Sequence, residues 1–203
     1  YVEPTIRTGW RNNAKRAFDI AVATVGVLLS AIPVAIAAVL IKLDSRGPVL
    51  FRQERVGKDG HTFRMIKLRT MHVDAEERKA DLAALNESDG PLFKIKDDPR
   101  ITRVGKVLRK LSIDELPQFL NVLFGDMSVV GPRPALPSEA AEWDLELYER
   151  LRVLPGITGL WQVSGRAETD FARYKRLDLY YVDNWSLLHD LGIVLRTFGA
   201  EIG

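Results

Sequence analysis

The sequence predicts a mainly α-helical fold with a small β-hairpin. A membrane-inserted, proline-broken, re-entrant N-terminal helix and amphipathic interfacial helices would surround a cytoplasmic core. Three observations predict this. Residues 20–41 carry no charge and are interrupted by Pro33; two strand-like segments flank Gly57-Lys58-Asp59-Gly60; and from Ser112 onward apolar residues recur at helical spacing.

The apolar run IAVATVGVLLSAIPVAIAAVLI is 22 residues long, roughly 33 Å as a straight helix and enough to span a bilayer. It leads into KLDSRGP without a small-residue cleavage pattern, which argues against a signal peptide. The plain alternative is a buried central helix. Pro33 removes an N–H and crowds the carbonyl of Leu29, so a kink is expected there, with Ser30 available to the freed backbone. Arg7, Arg11, Lys15 and Arg16 precede the run, and Lys42, Arg46, Arg52 and Arg55 follow it. Charge bias therefore gives no orientation, and both ends fit the cytoplasmic face. The reading is a helix at about residues 17–42, within an N-terminal segment 1–46, that enters the membrane and returns; an ordinary kinked span is the alternative. Residues 47–203 form the cytoplasmic domain, and a start at Tyr1 suits the C-terminal part of a longer chain.

VLFRQERV and TFRMIKLRTM read as a hairpin around the glycine-bounded turn. Residues 74–86 have the composition of an exposed helix, followed by the breakers of ESDGP. In SIDELPQFLNVLFGDM, Ser112 is a candidate N-cap with Glu115 placed to complete a capping box, and Pro117 suits an early turn. Further helices are expected over 138–153 and 171–183. The amphipathic stretch WSLLHDLGIVLRTFGAEI suits either a core contact or a membrane interface.

A net charge of +2 over 203 residues, with no nucleic-acid-binding pattern, gives no reason to expect a nucleic-acid partner. Position matters more than total. Arg52, Arg55, Lys58, Arg64, Lys67 and Arg69 crowd one segment, and Arg100, Arg103, Lys106, Arg109 and Lys110 another. The absence of cysteine excludes disulfides, thiolate metal sites and cysteine nucleophiles, and His61, His72 and His189 lack metal-ligand spacing.

Asp114 and Glu115 are expected to stay ionised near a helix start with Arg103, Lys106, Arg109 and Lys110 upstream. One carboxylate could face a phosphorus while the other holds a divalent cation; capping and solvation is the competing reading. In GDMSVVGPRP, Gly131, Pro132 and Pro134 stiffen the backbone around Arg133. Its guanidinium fork suits phosphate, with Arg109 as a second clamp, against a structural turn. PGITGLWQVSGR offers Trp161, Gln162, Ser164 and Arg166 to a nucleotide or sugar, against a packed loop. Asp178 and Asp190 could support the basic groups or the metal, or lie solvated on helices.

Taken together, KRAFDI, the apolar run, RGPVLFRQERVG, FRMIKLRTM, LRKLSIDELPQFLNVLFGDMSVVGPRP and PGITGLWQVSGR resemble the bacterial sugar transferase family, the monotopic phosphoglycosyl transferases. The match covers about residues 15–198, and its tail is similar to members that initiate exopolysaccharide or O-antigen synthesis. The resemblance implies Asp114 as covalent nucleophile and Glu115 beside it at a Mg2+ site. It places Lys67, Arg109, Arg133, Asp178 and Asp190 at further functional positions, and Ser30 and Pro33 at the membrane break. It implies a UDP-sugar donor, a polyprenol phosphate acceptor and release of UMP at the cytoplasmic face of the inner membrane. The family's helix commonly breaks at Ser-Pro, whereas Ile32 precedes Pro33 here, and the acidic stretch before Phe93 is longer than in the smallest relatives.

Two other classes fit parts of the sequence: a membrane-anchored basic protein that binds anionic lipids, and another magnesium-dependent phosphotransferase. Only an enzyme gives Asp114 a task. No residue distinguishes one sugar from another; the resemblance favours a plain hexose. An exposed apolar surface could serve membrane lipids or a second copy in a homodimer.

Overall fold

The computed structural model describes residues 9–82, 86, 95, 97–164 and 171–202. The chain begins with a 35-residue helix, α1 (Trp10–Asp44), which continues through Pro33. Ser30 donates its hydroxyl to Val27 O at 3.2 Å, so it does not serve the Leu29 carbonyl that Pro33 deprives of a donor. Lys15, Asp19, Ala23, Ser30, Ala37 and Ile41 are buried on one stripe of α1. Leu28, Leu29, Ile32, Ile36 and Val39 on other faces are exposed. This helix is long and apolar enough to cross a membrane, and only 17% of its most apolar window is buried, which sets aside a central core helix.

Both ends of α1 grip the same body. Near its start, Arg16 donates to Val122 O at 2.6 Å and Leu123 O at 2.9 Å. These are end carbonyls of α3 (Gln118–Phe124), beyond its regular hydrogen-bond ladder; Val122 O also accepts from the cap residue Gly125 N at 3.1 Å. Gly26 admits the ring of Phe119, which would lie 2.8 Å from any Cβ there. At the other end, Asp44 Oδ2 accepts from Val104 N at 3.2 Å, in the first turn of α2 (Arg103–Lys110).

The expected hairpin is present. Strands β1 (Leu50–Val56) and β2 (Thr62–Leu68) pair antiparallel from Leu50 opposite Leu68 to Val56 opposite Thr62. Asp59 (φ 55°) and Gly60 (φ 81°) turn the chain through left-handed conformations that aspartate and glycine tolerate. A second sheet was not expected. β3 (Ser128–Val130) and β4 (Gly156–Thr158) pair in parallel, Ser128 opposite Gly156 and Val130 opposite Thr158. The β3–β4 crossover carries α4 (Pro137–Ala140), and α5 (Leu160–Val163), α6 (Phe171–Asp183) and α7 (Leu187–Ile202) complete the chain.

Three helix expectations need correction. The described part of 74–86 consists of turns and one 3-10 turn, Glu77–Lys79; a segment of this length is marginal as a helix unless tertiary packing supports it. Residues 138–153 divide into α4, turns and a 3-10 segment, Leu147–Arg152. Asp144 accepts from Leu147 N at 2.9 Å, a local bond that competes with helix continuation. Ser112 is left-handed (φ 52°) and makes no side-chain cap; Ile113–Glu115 is a separate 3-10 turn. Pro117 has no N–H for the Ile113 carbonyl, which accepts from Leu116 N at 3.3 Å instead, so α3 begins only at Gln118.

The main core joins α1, α3, β3, α6 and α7 through Ala23, Val122, Met127, Val130, Tyr181 and Ile193. A smaller cluster packs Ala37 and Ile41 of α1 against Leu68 and Leu108, with Ile113 at its edge.

Candidate active site

β2 presents Met65 and Lys67, two residues apart and so on one face, to a cleft that Glu115, Gln118, Arg133 and Gln162 also line. The cleft has a volume of about 80 Å³. Lys67 Nζ lies 2.8 Å from Glu115 Oε1, joining the hairpin to the 3-10 turn. Asn121 fixes the strand from below: its Oδ1 accepts from Ile66 N at 3.0 Å and its Nδ2 donates to Arg64 O at 2.9 Å.

Asp114 is buried, 6% exposed. Burial raises its carboxyl above the ordinary value; Lys67 and Arg109 counter that, and the neighbouring Glu115 charge adds to it. Of the four upstream cations expected around Asp114, only Arg109 acts on it; Lys67 of β2 is the larger influence, and desolvation outweighs both. Arg109 donates Nε to Thr70 Oγ1 at 2.9 Å.

Arg133 pairs with Glu139 of α4, Nη1 to Oε2 at 3.0 Å and Nη2 to Oε1 at 3.4 Å. Burial pushes the Glu139 carboxyl up, yet Arg133 and the Leu136 N–H together hold it below the usual range. Behind Arg133 stands Arg150, which sequence reasoning missed. Arg150 Nη2 donates to Arg133 O at 2.6 Å and lies 2.6 Å from Asp178 Oδ2. Arg150 also meets the Tyr174 hydroxyl, and its guanidinium stacks on the rings of Trp143 and Tyr174 at 4.9 and 4.8 Å. Asp178 is thus no solvated helix position. It is buried and pushed up to about 6 by desolvation, with Arg150 and Arg133 opposing.

Asp190 is also interior, fully buried in α7. It accepts from Tyr181 OH at 2.8 Å and Trp185 Nε1 at 2.9 Å, and pairs with Lys15 at 2.8 Å. Lys15 also pairs with Asp19 at 3.0 Å, and Asp19 accepts from Ser128 Oγ and Val129 N. Lys15 and Asp19, which sequence reasoning also missed, thereby tie α1 to β3 and α7.

The structure brings Lys67, Glu115, Arg133 and Gln162 into one cleft, with Asp114 and Arg109 at its flank. Asp178 and Asp190 stand behind it. Trp161 packs edge-on against Tyr174 at 5.0 Å, and the Ser164 carbonyl accepts from Arg173 at 3.0 Å. Gln162 donates to Ile157 O at 3.0 Å, while its buried Oε1 has no hydrogen-bond partner among the described residues. Arg166 lies outside the described residues. Among the described residues no group of three or more acidic or histidine side chains gathers for a metal. Two adjacent carboxylates do fit magnesium, which takes most of its ligands from water and substrate phosphates.

A cleft with a lysine and an arginine on opposite walls and a buried carboxylate alongside is suited to a substrate that carries phosphate. The chain matches the bacterial sugar transferase family over residues 10–202 and belongs to it, as its motifs implied. It is 49% identical over 185 residues to galactosyl transferase CpsE of Streptococcus agalactiae serotype III, covering 91% of this chain and 41% of that protein. The exopolysaccharide production protein ExoY of Rhizobium meliloti is 42% identical, with 92% and 84% covered. The UDP-glucose:undecaprenyl-phosphate glucose-1-phosphate transferase of Caulobacter vibrioides is 44% identical, with 90% and 67% covered. The chain thus spans less than half of CpsE but most of ExoY.

Proposed function

We propose that this chain transfers a hexose-1-phosphate from a UDP-sugar to undecaprenyl phosphate at the cytoplasmic face of a membrane, releasing UMP. The observation that carries this reading is Asp114, a carboxylate buried among Lys67, Glu115 and Arg109 beside the cationic cleft. Asp114 Oδ attacks the β-phosphorus; the bond to the bridging oxygen breaks, and UMP leaves with that oxygen and the electron pair. A phosphate oxygen of undecaprenyl phosphate then attacks the same phosphorus, the Asp114 O–P bond breaks, and the lipid diphosphosugar departs. Covalent catalysis divides one difficult transfer into two. Arg133 and Lys67 bind and orient the phosphates and stabilise their charge, and the unpaired Gln162 Oε1 accepts from a hydroxyl or N–H of the donor. Glu115, with Asp114 beside it, would hold magnesium, which supplies further charge neutralisation when bound.

The acceptor arrives within the bilayer, and the exposed apolar faces of α1 suit that solvent. Attachment of both ends of α1 to one body supports the re-entrant reading, since the cytoplasmic domain can hold both only on one side of the membrane. The test is UMP release from a panel of UDP-sugars with undecaprenyl phosphate and magnesium. Wild type is expected to prefer glucose or galactose donors, and Asp114→Asn to lose turnover. Full activity in that variant would end the covalent step.

A further inference from the structure

The cleft contains a cation that the reaction scheme has not used. Arg55, on β1, lines it together with Lys67 and Arg133, and is only 8% exposed. Two of its nitrogens are fixed: Nη1 donates to Pro134 O at 3.0 Å and Nη2 to Gln53 Oε1 at 2.5 Å. The third, Nε, is buried and has no hydrogen-bond partner among the described residues. A buried donor left unpaired is destabilising, the more so when charged, so a fold retains one where something else completes it.

The charges around Arg55 indicate what completes it. Burial and then the nearby Arg133 lower its pKa to about 10, offset in part by Glu139 and Glu115. Those two carboxylates are engaged elsewhere, Glu139 by Arg133 and Glu115 by Lys67. Two guanidinium groups thus repel across a small space while one keeps a free donor. An anion that accepts from Nε would remove the repulsion and the unpaired donor together. Chloride could supply charge alone, but a phosphate oxygen can accept from Arg55 while its neighbours accept from Arg133.

We propose that Arg55 is a phosphate-binding residue of the cleft, its Nε donating to an oxygen of the donor's diphosphate while Arg133 holds another. The inference rests on the reaction read above and extends it from Lys67 and Arg133 to the β1 strand. Gln53 and Pro134 hold the guanidinium in place; because Nε is enclosed, a small shift of the groups that cover it accompanies binding, and the contribution of Arg55 falls on substrate affinity more than on the chemical step.

The experiment uses the full chain in detergent or nanodiscs, comparing wild type with Arg55→Gln and Arg55→Lys. Affinity for inorganic pyrophosphate is measured by calorimetry and by ligand-induced shift in melting temperature; KM and kcat are measured with the best UDP-sugar. Arg55→Gln is expected to weaken pyrophosphate binding and raise KM by about tenfold or more, the scale of one charge-assisted hydrogen bond. Arg55→Lys, which restores charge without a donor at Nε, should recover only part of that affinity. Arg55→Gln that melts like wild type and binds pyrophosphate within twofold of it overturns the proposal. If Arg55→Gln fails to fold, Arg55→Lys with wild-type pyrophosphate affinity overturns it equally. If wild type binds pyrophosphate through Arg55 yet releases no UMP from any donor, the reaction reading fails and the phosphate site stands.

Discussion

Replacing Lys15 with methionine leaves two carboxylates inside the domain without the cation that holds them. Lys15 Nζ lies 3.0 Å from Asp19 and 2.8 Å from Asp190, and donates to Val130 O at 3.3 Å. Asp19 would keep Ser128 Oγ and Val129 N, both at 3.0 Å, and Asp190 would keep Tyr181 OH and Trp185 Nε1. Removing one partner of a buried pair typically costs about 3–5 kcal/mol, and the surviving donors argue for the middle, about 4 kcal/mol.

The assay is a double-mutant cycle with Asp190→Asn, by denaturant unfolding in detergent followed by tryptophan fluorescence. Asp190→Asn alone should cost about 2 kcal/mol, and the double variant about 2 kcal/mol less than the sum. Additivity within about 0.5 kcal/mol would refute the triad as a coupled unit. Val130 lies three residues before Arg133, so Asp190→Asn should also lose turnover in proportion to its lost stability. An Asp190→Asn variant of wild-type stability but no turnover would assign Asp190 to the substrate instead.

In the proposed reaction Asp114 must be ionised to attack, and burial raises its carboxyl. The acid limb of kcat/KM should therefore lie above the ordinary aspartate value of 3.8, with activity lost as pH falls through it. Lys67 is the largest influence holding that carboxyl down, so Lys67→Met should move the limb upward in a pH-rate profile; an unmoved limb contradicts this placement. Gly156→Ala puts a methyl group 2.1 Å from Gly131 N and 2.4 Å from Thr158 O, both backbone atoms. The β3–β4 pair must shift, at a cost of about 3 kcal/mol, and an unchanged melting temperature would show the approach to be looser. The chain has no cysteine, so single cysteines at Arg11 and Lys58 report topology cleanly. Both should resist a membrane-impermeant reagent added from the periplasm, and labelling of either rules out the re-entrant arrangement.

Much of the fold was legible where local chemistry decides alone. Gly57 and Gly60 bracket a turn that sets the hairpin register, and 171–183 is helical because its apolar period and its neighbours agree. The misreadings share a physical cause. Ser128-Val129-Val130 and Gly156-Ile157-Thr158 are too short to show a period, and their pairing across a 25-residue crossover is a tertiary fact. Ser112 has the chemistry of an N-cap, but Pro117 withholds the N–H that would carry helix through the turn. Asp178 and Asp190 stood out as carboxylates; that Arg150 and Lys15 enclose them depends on residues 28 and 175 positions away.

The same limit hides how the membrane helix and the candidate nucleophile are connected. Along β2, Lys67 faces the cleft while Leu68 turns to the opposite side, into the cluster with Ala37 and Ile41 of α1. Ile113, immediately before Asp114, packs at the edge of that cluster. The second half of the apolar helix is therefore in contact with a residue next to the cation and with one next to the carboxylate. Displacing α1 moves both. Under the proposed reaction, an acceptor arriving along that helix would meet a carboxylate whose position the helix itself helps to set, and Asp114 accordingly lies in a short 3-10 turn between α2 and α3 and not on a longer, independent helix. A long helix would carry its carboxylate on its own axis; a three-residue turn takes its position from what packs on either side.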